Sequence, residues 1–193
     1  MTGAALARML TQARTLREGF ASTAPQPWDA VTAAAELTVQ LGHLAQCIGR
    51  QDGINQGQLE DPARPITDTG DELADVTLAI LSIAILAGDE PEAMLATAVQ
   101  DSAAPGGPDA RTALLITLVI VAGQLAESAM VAAGYRHRPA GSLPAVSAAS
   151  GAALAAATRL AAAADVDLPG TFDAMTADAQ RFIAARAAVG GPA

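Results

Sequence analysis

Leu6, Met9, Leu10, Ala13, Leu16 and Phe20 recur at three- and four-residue spacings, which predicts an amphipathic helix ending before Pro25 and Pro27. The same period runs through Val31, Ala34, Leu37, Leu41, Leu44 and Ile48 and predicts a second helix from Trp28 to Arg50. Gly53 is placed to cap it in the left-handed conformation. Residues 51–69, with Asn55, Pro62 and Pro65, read as a long loop, the kind of connection that often carries function. From Asp68 or Thr69 to about Ala87 the pattern is apolar almost all round (Leu73, Val76, Leu78, Ile80, Leu81, Ile83, Ile85, Leu86). A helix without a wet face belongs in the middle of a bundle. Asp89, Glu90 and Pro91 open a further helix through Val99, and Pro105–Pro108 with its two glycines reads as a linker.

The plan then repeats 81 residues on. Gly42, Leu44 and Ala45 match Gly123, Leu125 and Ala126; Gly53 matches Gly134; Thr69 and Gly70 match Ser150 and Gly151. Leu73, Ala74 and Thr77 match Leu154, Ala155 and Thr158, and Ala93 and Met94 match Ala174 and Met175. Chance Ala–Ala matches are frequent in so alanine-rich a chain, so the Gly, Leu and cap positions carry the argument. The expected fold is an all-α helical bundle of about seven helices: an N-terminal helix over 1–24, one repeat over 25–104 and a second over 105–193. The rival is two unrelated helical hairpins of similar length.

Composition narrows the function classes. Of 193 residues 51% are hydrophobic, which excludes a disordered acidic tail, and only 3% are aromatic, which favours close-packed helices over a sheet. Eleven basic against 20 acidic residues leave a net charge of −9, which argues against a nucleic-acid partner, since that needs a basic face. Cys47 is the only cysteine, so no internal disulfide forms and a cytoplasmic location is expected. Arg8, Arg14, Arg17 and Glu18 interrupt any apolar signal core in residues 1–20. The greasiest run, Ala113–Ala122, falls short of the roughly 20 residues of a membrane span, so no membrane contact is expected.

Candidate chemistry sits on the second helix and the apolar one. Glu36, Gln40, His43, Cys47 and Arg50 follow at steps of four, three, four and three and share a face. Glu72 and Asp75 are one turn apart, with Asp68 and Asp71 close behind. Two carboxylates facing Glu36 and His43 would make an oxygen-rich pocket of the kind Mg²⁺ occupies together with water and substrate phosphate.

The strings VQLGHLAQCI and DELADVTLAILSIA resemble the MazG-like, all-α nucleoside triphosphate pyrophosphohydrolases, over about Trp28 to Val99. That family carries Glu-x-x-Glu on one helix and Glu-x-x-Asp on the next, around a metal-filled cleft, and splits nucleoside triphosphates into a monophosphate and pyrophosphate. The resemblance is strongest over Glu72–Val76, and Pro27-Trp28-Asp29 is similar to a tripeptide upstream in some members. It implies that the chain is a tandem MazG-like repeat forming a pseudo-dimer. Glu72 and Asp75 carry over as metal ligands, while Gln40 and His43 stand where the first motif has glutamates. The family's downstream Lys and Asn are missing from the stretch Ala96–Gln100. Val121, Gln124, Ala153 and Ala156 fill the four motif positions in the second repeat, which makes it an inactive pseudo-subunit.

In this reading His43, Glu72 and Asp75 hold the metal, Glu36 is the base, and Gln40 orients a water. The cofactor is Mg²⁺, and a His43 ligand would move the preference toward Mn²⁺ or Zn²⁺. Trp28, Arg50 and the basic loop residues Arg136 and Arg138 are candidate contacts to the nucleotide. Each has a plainer reading. Thr69-x-x-Glu72 is a capping box, Asp71 and Asp75 suit a helix N-terminus, and His43 and Trp28 can simply pack. A non-catalytic nucleotide sensor or partner-binding bundle is the alternative to an enzyme, and whether two chains pair as a homodimer stays open.

Overall fold

The computed structural model describes residues 1–24, 26–54, 59, 61, 63, 65–88 and 109–188; among these the chain forms six helices and no strand. They are α1 (Gly3–Thr23), α2 (Ala30–Gln51), α3 (Thr69–Leu86), α4 (Asp109–Ala132), α5 (Val146–Ala163) and α6 (Leu168–Ala188). The expected Asp89–Val99 helix and the Pro105–Pro108 linker lie outside the described residues. The all-α expectation holds, and α3 is the hub, packed against α1, α2, α5 and α6. Its Leu73, Ile80, Leu81 and Ile83 are completely buried.

Side chains set the helix starts. Thr2 accepts a hydrogen bond from the Ala5 amide at 3.2 Å, and Asp29 from the Thr32 amide at 2.7 Å. Asp29 therefore starts α2 at Ala30, two residues later than the spacing predicts, and Trp28 stands outside the helix. At α3 the cap is Asp68, whose Oδ1 accepts from the amides of Gly70 at 2.8 Å and Asp71 at 3.2 Å. Thr69 instead accepts from Gln51 Nε2 at 2.9 Å, so the Thr69–Glu72 capping box does not form. Asp68 satisfies the helix start without Glu72.

Helices α2 and α3 pack heavily on each other, as do α4 and α5; α2 also packs on α4, and α3 on α5. The ends of α2 and α4 match hydrogen bond for hydrogen bond, 81 residues apart. Asp52, Gly53 and Ile54 donate to the carbonyls of Ile48, Arg50 and Gly49, and Ala133, Gly134 and Tyr135 to those of Ala129, Val131 and Met130. Thr77 and Thr158 likewise each donate to the carbonyl four residues earlier. By their ends, however, α3 and α5, each 18 residues long, lie 77 residues apart, because the connection over 133–145 is shorter than that over 52–68.

Gly53 and Gly134 take φ of +75° and +78°, with open space where a Cβ would stand. The only penalty for Gly53→Ala or Gly134→Ala is then the left-handed backbone, roughly 1–2 kcal/mol. Chemical denaturation should show near-equal losses of about that size, and a loss at one site alone would show that the two ends are not equivalent.

Among the described residues, two helical stretches are long and apolar enough to cross a membrane: Arg111–Ala132 with mean hydropathy 2.0 and Val146–Ala163 with 1.3. This corrects the expectation that no stretch reaches that length. The apolar run does not stop at Ala122, because only Glu127 is charged between there and Ala132. The second stretch is largely buried inside the bundle, and the first much less so.

Candidate functional site

The polar stripe of α2 meets α3 over two turns. Gln40 Nε2 donates to Glu36 Oε1 at 2.7 Å, and Gln40 Oε1 lies 3.1 Å from His43 Nδ1. His43 Nδ1 is also 3.4 Å from Glu72 Oε2, on α3. An amide oxygen and a carboxylate both face Nδ1, acceptors for an N–H at that position. Glu36, Gln40, His43 and Glu72 thus form one polar row across the helix pair. Glu72 is 9% exposed, and its carboxylate is turned toward α2 rather than toward its own helix start.

One turn along α3, Asp75 faces the same side. Burial, followed by the negative charges of Asp71 and Glu36, pushes its carboxyl from 3.8 up to about 6. Glu36, Gln40 and Asp75 border a cavity of about 390 Å³ closed by Arg17, Phe20, Trp28, Leu78, Ala79 and Ser82. The Arg17 guanidinium lies 4.9 Å from the Phe20 ring centre and 4.6 Å from that of Trp28, a cation held between two aromatic faces. Burial lowers the pKa of Arg17, and the charge of Glu36 works in the opposite direction. The cavity therefore has an apolar, aromatic wall with one cation and a polar wall with two carboxyls.

The sequence-predicted residues divide accordingly. Trp28, Glu36, Gln40 and Asp75 border the cavity, and His43 and Glu72 continue the polar row beside it. Arg50 is elsewhere: its Nη1 donates to the Ile66 carbonyl at 2.8 Å, tying the loop before α3 to α2. Cys47 is buried and makes a 3.6 Å contact with the same carbonyl, and burial raises its thiol pKa. Arg136 pairs with Glu127 at 3.0 Å, and neither it nor the exposed Arg138 lines the cavity. Arg17 and Phe20 were not singled out as site residues. Their signal was an Arg and a Phe three apart on an otherwise core-facing helix.

Among the described residues no three His, Cys, Asp or Glu side chains converge closely enough to hold a metal ion by themselves. The acids that border open space are Glu36 and Asp75, and burial, followed by the charges of Asp71 and Glu36, raises the Asp75 pKa. Such a pair suits Mg²⁺, which takes one or two carboxylates and keeps its other positions for water and phosphate oxygens. It does not suit a closed tetrahedral Zn²⁺ site. Compared with family models, with curated proteins and with solved structures, the chain matches none.

Proposed function

We propose that the chain is a divalent-metal-dependent nucleoside triphosphate pyrophosphohydrolase, or a diverged homologue of one, with its site between α2 and α3. The observation that carries the reading is the desolvated Asp75 beside Glu36 at the mouth of an aromatic-walled cavity, one turn from Glu72. When bound, Mg²⁺ would acidify a water and offset phosphate charge. Asp75 would hold it, with Glu72 and His43 alongside, leaving Glu36 free as the base. Gln40, anchored by Glu36, would orient the water, and Glu36 would take its proton. Trp28 offers a face on which a base can stack, next to Arg17.

The MazG-like tandem arrangement belongs to the same proposal. Its support is the matching ends of α2 and α4 and the reciprocal packing of α2 on α4 and α3 on α5. At an offset of 81 the α5 counterparts of Glu72 and Asp75 are Ala153 and Ala156; at 77 they are Ala149 and Ala152. In either register the second hairpin carries no carboxylate there and serves as a packing partner. We read α4 and α5 as bundle helices and the protein as cytoplasmic, acting on a free nucleotide rather than on nucleic acid or membrane.

The test is pyrophosphate release from a panel of nucleoside triphosphates with Mg²⁺ or Mn²⁺. Turnover by the wild type, lost at least 100-fold in Glu72→Gln with the fold retained by circular dichroism, is the expected result. Gln40 and His43 in place of acids favour a second reading, a nucleotide sensor. In that case nucleotide with Mg²⁺ raises the melting temperature without turnover. Neither turnover nor a melting shift would dispose of both readings.

A further inference from the structure

The aromatic wall of the cavity carries a cation to which the hydrolysis itself gives no task. Arg17 borders the space with Phe20 and Trp28, and its guanidinium lies 4.9 and 4.6 Å from the centres of their rings. Ring faces hold it there, since its buried Nε–H has no hydrogen-bond partner among the described residues. A charged donor left unpaired away from water costs stability, and a ligand that brings an acceptor recovers that cost. With rings against the guanidinium, the side left for a ligand is its edge, a planar fork of N–H groups. Ser82, on the same cavity, does not compete as a donor, because its hydroxyl donates to the Leu78 carbonyl at 2.6 Å.

We propose that Arg17 reads the base of the nucleotide and selects a base with two adjacent acceptors on one edge, guanine through O6 and N7 or cytosine through N3 and O2. The proposal rests on the nucleotide reading of this cavity and adds the substrate class to it. Two acceptors side by side match two N–H groups of the fork, as in the pairing of arginine with the O6 and N7 edge of guanine. Adenine sets an amino group beside N7 and beside N1, so a donor of the fork would face another donor. Uracil and thymine separate their two carbonyls by an N–H and fail in the same way. Phosphate is the other common partner of arginine, and the surroundings decide against it here. Phe20, Trp28, Leu78 and Ala79 make this side apolar, where a multiply charged group would lose its water without replacement while a base gains by leaving water. The phosphates belong on the polar wall, with Asp75 and the cation it would hold. At about 390 Å³ the cavity is near the small end of ligand pockets, roughly 300–1,000 Å³, and takes a planar group of nucleobase size beside Trp28.

Nucleosides test this without any bond for a hydrolase to split. Equilibrium dialysis of the full chain against guanosine, adenosine, cytidine and uridine gives the affinities. The fluorescence of Trp28, the only tryptophan, reports whether they enter this cavity. Guanosine should bind roughly 10- to 100-fold more tightly than adenosine, and cytidine than uridine by a similar factor. Stacking alone would instead separate purines from pyrimidines. Arg17→Lys keeps the charge without the planar fork and should bring each pair to within about threefold. Arg17→Gln, whose amide sets one donor beside one acceptor, should reverse the purine order in favour of adenosine. Equal binding within each pair by the wild type, or no binding at all, overturns the proposal. A preference that persists in both variants, or binding that leaves Trp28 fluorescence unmoved, overturns it as well. Turnover separates this from the hydrolase reading: selective nucleoside binding without turnover of any triphosphate removes the enzyme and leaves the proposal standing. Equal turnover of GTP, ATP, CTP and UTP does the reverse.

Discussion

Asp75→Asn is expected to make the protein more stable at pH 8 while ending any metal-dependent turnover. In the folded chain the Asp75 carboxyl ionises near 6 instead of 3.8, chiefly because it is desolvated, and then because Asp71 and Glu36 stand near it. A folded-state pKa above the unfolded one means that the unfolded chain gives up its proton first. Stability contributed by the neutral acid is complete below about pH 4, declines as pH rises from 4 to 6, and is gone above that. The difference between 3.8 and about 6 corresponds to roughly 3 kcal/mol, an upper bound for a carboxyl that keeps some contact with water. The neutral amide escapes this penalty, so Asp75→Asn should melt about 5–10 °C above wild type at pH 8 and level with it at pH 4. Calorimetry at the two pH values decides it. Equal melting at pH 8, or a gain that persists at pH 4, would remove the titration of Asp75 as the cause. Mg²⁺ supplies a second arm: a cation held by Asp75 should raise the wild-type melting temperature at pH 8 and leave Asp75→Asn unmoved. A residue whose charge costs stability and whose replacement costs activity is what a site held against the preference of the fold looks like.

Much of this arrangement was legible along the chain, because helical spacing turns a linear pattern directly into a face. The stripe Glu36–Gln40–His43 and the pair Glu72–Asp75 could be assigned to helix faces from their spacing alone, and the all-round apolarity of α3 identified the hub. What stayed hidden depends on where helices cross. Nothing in Arg17 or Phe20 says that α1 crosses α3 so as to close the cavity, since that angle is set by packing far along both helices. The cap of α3 stays open in the sequence, between Asp68 and Thr69, for a local reason. Asp68 and Thr69 are both good caps, and the choice between them depends on Gln51, 18 residues away, engaging the threonine. The run beginning at Ala113 was cut short for another: Gln124 interrupts the apolar string without interrupting the helix. Arg136 and Arg138 looked available for phosphate from charge alone, whereas Arg136 is engaged by Glu127, on the helix just before it.

The largest loss of stability from a single truncation is expected at Phe172. With only three phenylalanines in 193 residues, the bundle relies on Leu, Ile and Ala for its core, and small side chains leave few places where one residue fills a wide gap. Phe172 is 0% exposed and the bulkiest of the completely buried side chains. It stands on α6, which packs against α1 and α3, so it serves the seam by which the last helix reaches the hub. The polar tie between α6 and α1 is weak. Asp173 accepts from Arg8 at 3.1 Å and from Gln12 at 2.8 Å, but the ion pair is half exposed, and pairs of that kind contribute at most about 1 kcal/mol. Phe172→Ala should therefore cost about 3–5 kcal/mol, through lost burial together with the cavity left behind. Asp173→Ala should cost under 1 kcal/mol. Urea unfolding of both variants separates the contributions. If Asp173→Ala proved the more damaging, the attachment of α6 would be electrostatic, and its strength would fall with salt as a hydrophobic seam does not.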